Sequence, residues 1–326
     1  MNKLKILGIG NALVDILVLV DNDHIINSLN LPKGGMTLVD GELSARIQNE
    51  ISHLNIKIAT GGSVANAING IAGLGVDAGF VGAIGHDELG VLFKNDMLKR
   101  GISVSMKELE IPTGRAVGFV SPEGERTFAT YLGAAVDMGP TDITPELFAG
   151  YDLFFIEGYL VFNHALIMAA ASAAKSAGLT IALDLASYNV VEANMDVLNE
   201  LVDNYIDIVF ANEEEAKSFT GLQPEEALKN LAERCDIAIV KVGKEGAFIQ
   251  QGENKWHIPA FETSVIDTTG AGDFFAAGFL AGLAHGWNLE KCGTVGSLLA
   301  GEVIKVVGAE LELAHWEEIN KKVQTL

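Results

Sequence analysis

The chain has 326 residues, of which 49% are hydrophobic and 20% are charged, and its formal net charge at pH 7 is -21. A chain of this length and composition can bury a large core, either as one α/β domain with an appendage or as two domains. The excess of negative charge, with no run of five basic residues, argues against a broad surface for nucleic acid or anionic membranes. We therefore expect no nucleic-acid partner and no membrane partner.

Cysteine and histidine spacing indicates no metal or redox centre. Cys235 and Cys292 match no zinc or redox motif, and the seven histidines show no paired ligand spacing. No window reaches the ~18 uninterrupted apolar residues that a membrane span needs. Lys3 and Lys5 precede an apolar stretch without a small-residue cleavage site, which indicates a first strand and not a signal peptide. These features predict a cytoplasmic protein.

Short β-branched runs alternate along the chain with longer helical patterns. This alternation is typical of a mainly parallel sheet that helices cover on both faces. The predicted strands of that sheet are residues 5–9, 78–81, 153–156, 180–183, 206–210 and 237–242. The predicted helices are residues 63–74, 88–99, 165–177, 213–219, 272–284 and 289–307.

Two stretches interrupt the alternation of strands and helices. Residues 13–20 with 36–39, and residues 115–120 with 127–131, predict two pairs of antiparallel strands. The second pair would be joined by a hairpin-like turn at residues 121–125, which contains Pro and Gly. Taken alone, this pattern also fits an edge hairpin on the main sheet.

The segment 267–273 reads Asp-Thr-Thr-Gly-Ala-Gly-Asp and leads into an apolar run that predicts a helix. Two glycines let the backbone approach a ligand, and the first amides of a helix lack internal partners. The amides of Gly270, Ala271 and Gly272 therefore predict a site for an anion such as phosphate. Asp273 would repel that anion, which makes sense if its carboxylate accepts a proton from an attacking hydroxyl. The alternative is that Asp273 only caps the helix.

This string resembles the signature of the ribokinase-like (PfkB) carbohydrate and nucleoside kinases, in which the last Asp is the catalytic base and the Gly-Ala-Gly amides form the anion hole. The resemblance covers nearly the whole chain. It implies an α/β fold, a ribokinase-like three-layer sandwich with a mainly parallel central sheet and a small β-sheet lid. The implied core comprises residues 1–12, 40–112 and 132–326, and the implied lid comprises residues 13–39 and 113–131.

Two N-terminal motifs resemble substrate-binding segments of the same family. In residues 10–15, Gly-Asn-Ala-Leu-Val-Asp, Asn11 and Asp15 stand in the substrate-contacting places. Residues 61–66 read Gly-Gly-Ser-Val-Ala-Asn, and Gly-Gly-Ser followed by Asn66 is the form characteristic of adenosine kinases. The resemblance implies that Asp15 and Asn66 bind vicinal ring hydroxyls while the others shape the site. The predicted substrate-binding residues are Asn11, Asp15, Gly61, Gly62, Ser63 and Asn66.

Weaker motifs mark the nucleotide side. Asn212 and Glu215 match the family's Asn-x-x-Glu, which is implicated in organising magnesium and phosphate, so Glu215 is implied as an indirect Mg²⁺ ligand. Residues 240–246 resemble a strand and turn that lie against the ATP phosphates and ribose, often with Thr where Lys241 stands. This departure leaves open whether the site gains a phosphate contact or loses a hydroxyl contact. The predicted nucleotide-binding residues are Asn212, Glu215, Lys241, Gly243, Gly246 and Thr268.

An acidic chain that binds ATP must offset the repulsion locally, so we expect ATP to bind together with Mg²⁺. A monovalent cation such as K⁺ near Asp267 and residues 307–309 is known in parts of the family, and the sequence leaves it open here. Arg126 matches the place of an arginine in adenosine kinases and would steady charge on the γ-phosphate. The alternative is that Arg126 is solvated or pairs with Glu125.

Together these resemblances predict in-line phosphoryl transfer from MgATP to a ribosyl CH₂OH, favouring the 5′-hydroxyl of adenosine, with Asp273 as the base. Leu13, Tyr159, Leu160 and Phe162 could form an apolar wall for adenine, or could belong to the core. The alternatives are a sugar kinase acting on ribose, fructose or a 2-keto-3-deoxy sugar acid, and, from another class, a non-catalytic ligand sensor. The pattern leaves open whether the protein is a monomer or a homodimer.

Overall fold

A computed structural model describes residues 4–121 and 126–326, and it contains two β-sheets and their flanking helices. The strands are β1 (Ile6–Ile9), β2 (Leu13–Leu19), β3 (Met36–Leu38), β4 (Ile56–Gly61), β5 (Ala78–Gly85), β6 (Ser103–Leu109), β7 (Gly114–Val120), β8 (Arg126–Tyr131), β9 (Leu153–Glu157), β10 (Thr180–Asp184), β11 (Ile208–Asn212), β12 (Ile237–Lys241), β13 (Ala247–Gln251) and β14 (Asn254–Ile258). The helices are α1 (His24–Ser28), α2 (Gly41–Ile51), α3 (Ser63–Gly73), α4 (Glu88–Lys99), α5 (His164–Ser176), α6 (Tyr188–Ala193), α7 (Met195–Asn204), α8 (Glu213–Thr220), α9 (Pro224–Ala232), α10 (Ala271–Ala284), α11 (Leu289–Val303) and α12 (Leu313–Thr325).

The larger sheet has nine strands in the order β14-β13-β12-β11-β10-β9-β1-β5-β6. Every pairing from β12 to β6 is parallel, and β13 and β14 add an antiparallel edge. The parallel strands other than the edge strand β6 are buried on both faces, because crossover helices cover both sides of such a sheet. This arrangement confirms the predicted three-layer α/β fold with a mainly parallel central sheet.

The smaller sheet has five strands in the order β3-β8-β7-β2-β4. Strands β7 and β8 pair antiparallel, as predicted. The predicted antiparallel pairing of β2 with β3 is wrong, because β2 lies between β7 and β4 whereas β3 pairs in parallel with β8. Alternating hydrophobicity reveals a strand but not its partner. Residues 122–125, most of the predicted turn, lie outside the described residues.

Strand β4 had not been predicted, and the implied division assigned its segment to the core. It pairs instead with β2 in the smaller sheet, from Leu13 opposite Gly61 to Val18 opposite Ile56. The alternation of Ile56 and Ile58 with a polar residue between them was an available period-2 signal. The rest of the division into core and lid stays a prediction. Strands β6, β13 and β14 and helices α1, α2, α6, α7, α9 and α12 were also absent from the predicted elements.

Helix α10 is almost entirely buried because it packs between α3 and α11. Glycine permits these close approaches: a Cβ at Gly70 of α3 would come within 2.6 Å of the Ala277 Cβ. A Cβ at Gly278 would likewise meet the backbone of Gly296 at 2.7 Å. This packing fixes the first turn of α10, which carries Asp273, against the rest of the core. Within the described ranges, no helix has the length and hydropathy needed to cross a lipid bilayer.

Candidate active site

Four neighbouring strands of the larger sheet end in polar residues at the same edge. Glu157 ends β9 opposite Asp184 of β10, and Asn212 ends β11 opposite Lys241 of β12. Ligands of open α/β folds bind outside the carboxyl ends of the strands, so this edge is the expected place for a site. Glu157 and Asp184 were not among the predicted site residues. Their signal in the sequence was that each ends a run of buried apolar residues with a carboxylate.

The ends of β10, β11 and β12 line a cleft of about 1080 Å³. The cleft is continuous with the turn that begins α10, and it extends to residues 259–265 and 297–304, which carry no motif that would have predicted them. All six predicted nucleotide-binding residues line it, together with four residues predicted for catalysis or substrate binding. The ten are Asn212, Glu215, Lys241, Gly243, Gly246, Thr268, Ser63, Ala271, Gly272 and Asp273.

Asp273 lies on the first turn of α10, facing the first turn of α3. The Ser63 hydroxyl donates a hydrogen bond to its Oδ1 at 2.8 Å, and Asn66 Nδ2 donates to Oδ2 at 2.9 Å. Ser63 and Asn66 are three residues apart, so they share one helix face and orient both carboxylate oxygens. Burial raises the pKa of Asp273 to about 6, although the two hydrogen bonds oppose that rise. A carboxylate with this pKa is ionised at neutral pH yet able to accept a proton.

The turn before α10 has the backbone geometry of an anion-binding helix start. Gly270 has φ +78°, a left-handed conformation that favours glycine, and a Cβ there would lie 2.7 Å from the Ala309 Cβ. Not all three predicted anion-hole amides are equivalent. The Ala271 amide donates to the Thr268 carbonyl at 3.2 Å, so the turn itself already uses one of them.

Arg126 reaches this turn from the start of β8. Its Nη1 lies 2.5 Å from Asp267 Oδ2 and donates to the Thr269 hydroxyl at 3.1 Å. The Gly308 amide also donates to Oδ2, and the Thr269 amide and hydroxyl donate to Oδ1. Burial alone would raise the pKa of Asp267, but these donors and Arg126 lower it. Both oxygens of Asp267 thus have protein donors, and the K⁺ site near them stays a prediction.

Asp15 lies across from this turn, on β2 of the smaller sheet. A Cβ at Gly61 would collide with the Asp15 carboxylate. Gly62, with φ +99°, caps α3, and a Cβ there would collide with the Asn11 carbonyl oxygen. Both glycines are therefore needed where the predicted substrate residues converge. Burial, followed by repulsion from Asp273, raises the pKa of Asp15 to about 7.

Two asparagine oxygens near Asp273 are buried without a hydrogen-bond partner in the described residues: Oδ1 of Asn11 and Oδ1 of Asn66. The side-chain nitrogen of Asn11, Nδ2, donates to Glu157 Oε1, and the backbone amide of Val64 donates to Glu157 Oε2 at 3.3 Å. Burial raises the pKa of Glu157 to about 7. Buried acceptors without donors are costly, so these two oxygens would gain from a ligand that supplies hydroxyl groups.

Asn212 and Glu215 form a capping box at the start of α8. The Asn212 amide donates to Glu215 Oε2 at 2.8 Å, and the Glu215 amide donates to Asn212 Oδ1 at 2.8 Å. Burial, followed by repulsion from Asp184, raises the pKa of Glu215 to about 7. Within the described part of the chain, no cluster of three or more His, Cys, Asp or Glu could hold a metal. The neighbouring carboxylates of Asp184 and Glu215 nevertheless fit Mg²⁺, because this ion is usually held by one or two carboxylates together with phosphates and water.

One face of the smaller sheet carries both Asp15 and exposed apolar side chains. The register places Leu38 opposite Thr130, Thr130 opposite Ala116, and Ala116 opposite Asp15, so these side chains point the same way. Leu38 is 57% exposed and Met36, two residues earlier on β3, is 54% exposed. An apolar surface therefore lies on the same face as Asp15.

The four residues proposed as an adenine wall do not lie together. Leu13 lies on the same face as Asp15, two residues before it on β2. Leu160 is buried in the core, Phe162 is 61% exposed, and Tyr159 lines the cleft at the strand ends. Short local sequence could not separate these environments, because all four are apolar residues near predicted strand ends.

The family model for pfkB carbohydrate kinases matches residues 42–315. The chain belongs to the PfkB family. The crystal structure of a probable sugar kinase from Rhizobium etli CFN 42 is 34% identical, with 99% of each chain covered and a TM-score of 0.88. That of an adenosine kinase from Sinorhizobium meliloti is also 34% identical, with 98% of this chain and 99% of the other covered and a TM-score of 0.87. A ribokinase of Staphylococcus aureus (strain COL) is 28% identical over 271 residues, covering 80% of this chain and 87% of the ribokinase.

Family membership establishes the general chemistry of this PfkB protein. It is a nucleoside or sugar kinase, a phosphotransferase that uses ATP, and kinases of this family generally use ATP with Mg²⁺. The predicted family resemblance and ribokinase-like fold are thereby confirmed. Its relatives include both sugar and nucleoside kinases, so membership alone does not identify the acceptor.

Proposed function

We propose that the protein transfers the γ-phosphate of ATP to the 5′-hydroxymethyl group of a nucleoside, with adenosine as the favoured acceptor. The observation that carries this proposal is the position of Asp273, which lies between the nucleotide cleft and the acceptor side and is held by Ser63 and Asn66. A base at that boundary can contact an acceptor hydroxyl while the amides of the same turn face a phosphate.

In this proposal the ribose is recognised by its hydroxyl groups. The Asp15 carboxylate accepts hydrogen bonds from two neighbouring hydroxyls, and the unpartnered oxygens of Asn11 and Asn66 accept from others. A deoxy analogue would leave buried acceptors unpaired, which a polar site rejects strongly. With the ring hydroxyls bound in this way, the CH₂OH group points at Asp273.

Transfer then requires one proton movement and one phosphoryl displacement. The acceptor hydroxyl donates its proton to Asp273 as its oxygen forms a bond to the γ-phosphorus, and the bond to the ADP oxygen breaks. Backbone amides at Gly270 and Gly272 stabilise the phosphoryl oxygens, and Arg126 reaches them by leaving Asp267. Asp184 and Glu215 would hold Mg²⁺, which when bound neutralises charge on the phosphates.

The nucleobase is the reason to favour a nucleoside. An apolar base would lie on the exposed face of the smaller sheet formed by Met36 and Leu38, on the same side as Asp15. Purine faces pack well on such side chains. The Gly-Gly-Ser segment at 61–63 and the likeness to an adenosine kinase over 98% of the chain support this choice.

A sugar kinase is the second candidate, and one observation favours it. The apolar face of the smaller sheet is open, so no described residue closes a pocket around a base above Met36 and Leu38. The likeness to a probable sugar kinase and to a ribokinase supports the same alternative. A free sugar would use the same hydroxyl acceptors and the same base.

The test is ATP consumption with magnesium against a panel of acceptors: adenosine, inosine, guanosine, ribose, fructose and 2-keto-3-deoxygluconate. We expect strong turnover with adenosine and weak or no turnover with free sugars. Turnover with a free sugar only would contradict the nucleoside proposal, whereas the assignment as an ATP-dependent kinase would stand. ATP and magnesium without an acceptor give the background rate of hydrolysis.

A further inference from the structure

Lys241 stands in an unusual position for a lysine in a nucleotide site. It ends β12, its side chain is 14% exposed, and its Nζ donates to Asp184 Oδ2 at 2.9 Å. An ammonium has three donors and no acceptor. The ion pair with Asp184 therefore engages only part of its hydrogen-bonding capacity.

The ammonium lies beside the first turn of α10. A Cβ at Gly272 would come within 3.1 Å of Lys241 Nζ, so the absence of a side chain at position 272 leaves room for the ammonium. The same turn supplies the amides of the predicted anion hole. A positive charge and the amides of Gly270 and Gly272 thus lie close together, where a phosphoryl group would lie.

The surrounding charges explain why the lysine stays on Asp184 in the absence of a ligand. Burial alone would lower the pKa of Lys241, but Asp184, Glu215 and Asp273 together raise it. One buried cation thus faces three carboxylates in a cleft that must receive a polyanion. A cation that could move from a carboxylate to phosphate would reduce the repulsion at the moment of binding.

We propose that Lys241 is a γ-phosphate-binding residue that Asp184 holds in the ligand-free enzyme and that turns to the terminal phosphate when ATP binds. The inference rests on the ATP-dependent reaction proposed above but not on the identity of the acceptor. If Lys241 binds the γ-phosphate, then having lysine where the family often has threonine gives this site an additional phosphate contact. The alternative is that Lys241 only neutralises Asp184.

The test compares two nucleotides in the presence of magnesium and without any acceptor: a non-hydrolysable ATP analogue and ADP, which lacks the γ-phosphate. Calorimetry should show that Lys241→Thr weakens binding of the ATP analogue by at least ~10-fold, the usual scale of a charge-assisted contact. Binding of ADP should change only a few-fold. In steady state, kcat with MgATP should fall by more than the KM for ATP changes.

Lys244→Thr is the matched control. Lys244 lines the same cleft three residues later and is exposed, so its removal subtracts one charge without removing the proposed contact. It should weaken both nucleotides slightly and equally. Lys241→Gln, which keeps a donor for Asp184, repeats the measurement if the threonine variant does not fold. Equal loss of both nucleotides, or no loss of either, in a folded Lys241 variant would overturn the proposal.

Because this binding assay needs no acceptor, it separates the two proposals. In one outcome, Lys241→Thr binds the ATP analogue in preference to ADP as strongly as the wild type does, while the enzyme phosphorylates adenosine. That result would reject the phosphate-binding role of Lys241 and leave the proposed function intact. Loss of that preference in a protein that phosphorylates only a sugar would support the role of Lys241 and contradict the nucleoside as acceptor.

Discussion

The proposed phosphate side and the proposed acceptor side of the site are built from different kinds of structure. The phosphate side consists of one contiguous turn, residues 267–273, and the ends of adjacent parallel strands in a fully paired sheet. The acceptor side combines residues from the smaller sheet with the start of α3, and its strands come from separate parts of the chain. In the proposed mechanism the catalytic base therefore lies on a buried helix, whereas the acceptor is selected by a sheet that exposes apolar residues on one face.

This difference suggests that changes on the two sides should have separable kinetic effects. Substitutions at the turn should alter the rate of phosphoryl transfer with little effect on acceptor binding. Substitutions on the smaller sheet should alter acceptor binding with little effect on ATP, except at Arg126, which reaches the phosphate side from the start of β8. If substitutions on both sides changed the same kinetic parameter, such as kcat or the KM for the acceptor, the two sides would not be separable in this way.

The largest expected effect is on turnover when Asp273 is replaced. Asp273→Asn keeps the size of the side chain but cannot accept the acceptor proton, so kcat should fall by at least ~10²-fold. Affinity for both substrates should change little, because Ser63 and Asn66 can still hold an amide in place. Steady-state kinetics checks this, and near-normal turnover in a folded variant would remove Asp273 from its role.

A smaller effect is expected on acceptor binding when Asp15 is replaced. Asp15→Asn loses one charged acceptor for two hydroxyls, which should raise the KM for the acceptor by roughly 10-fold or more, with the KM for ATP unchanged. The control is the 2′-deoxy form of the acceptor, for which the variant and the wild type should differ much less. An equal loss with both acceptors would mean that Asp15 does not contact the vicinal hydroxyls.

The smallest effect concerns stability and its dependence on pH. The pKa of Asp273 is raised by burial to about 6, so the folded state binds more protons than the unfolded state between about pH 4 and pH 6. The cost of ionising this buried group therefore grows as the pH rises through that window and is complete above it. Asp273→Asn should raise Tm by on the order of 2 °C at about pH 8 and by less near pH 4.

Thermal unfolding at the two pH values checks this third prediction. Wild type and Asp273→Asn should unfold at nearly the same temperature in acid and diverge toward alkaline pH. A variant that is less stable at every pH would show that the hydrogen bonds from Ser63 and Asn66 to the carboxylate outweigh its burial.

The same contrast explains what could be predicted from the sequence. The turn at 267–273 and the capping pair Asn212 and Glu215 are local, so a contiguous motif contains all the information needed to recognise them. The partners of β4 and β3 depend on register between distant segments, which local hydrophobicity does not encode. Glu157 also escaped prediction, because its partner Asn11 lies 146 residues away and the contact exists only in the fold.

Competition between adenosine and ribose as acceptors distinguishes a nucleoside kinase from a sugar kinase. Equimolar adenosine and ribose are offered to the enzyme with limiting MgATP, and the phosphorylated product is identified by phosphorus NMR. We expect adenosine 5′-phosphate as the main product, because in the proposed site Asp273 faces the CH₂OH of a ribose whose base lies on the smaller sheet. Ribose 5-phosphate as the main product would contradict the nucleoside assignment, and a 2′- or 3′-phosphate would contradict the proposed orientation of the acceptor.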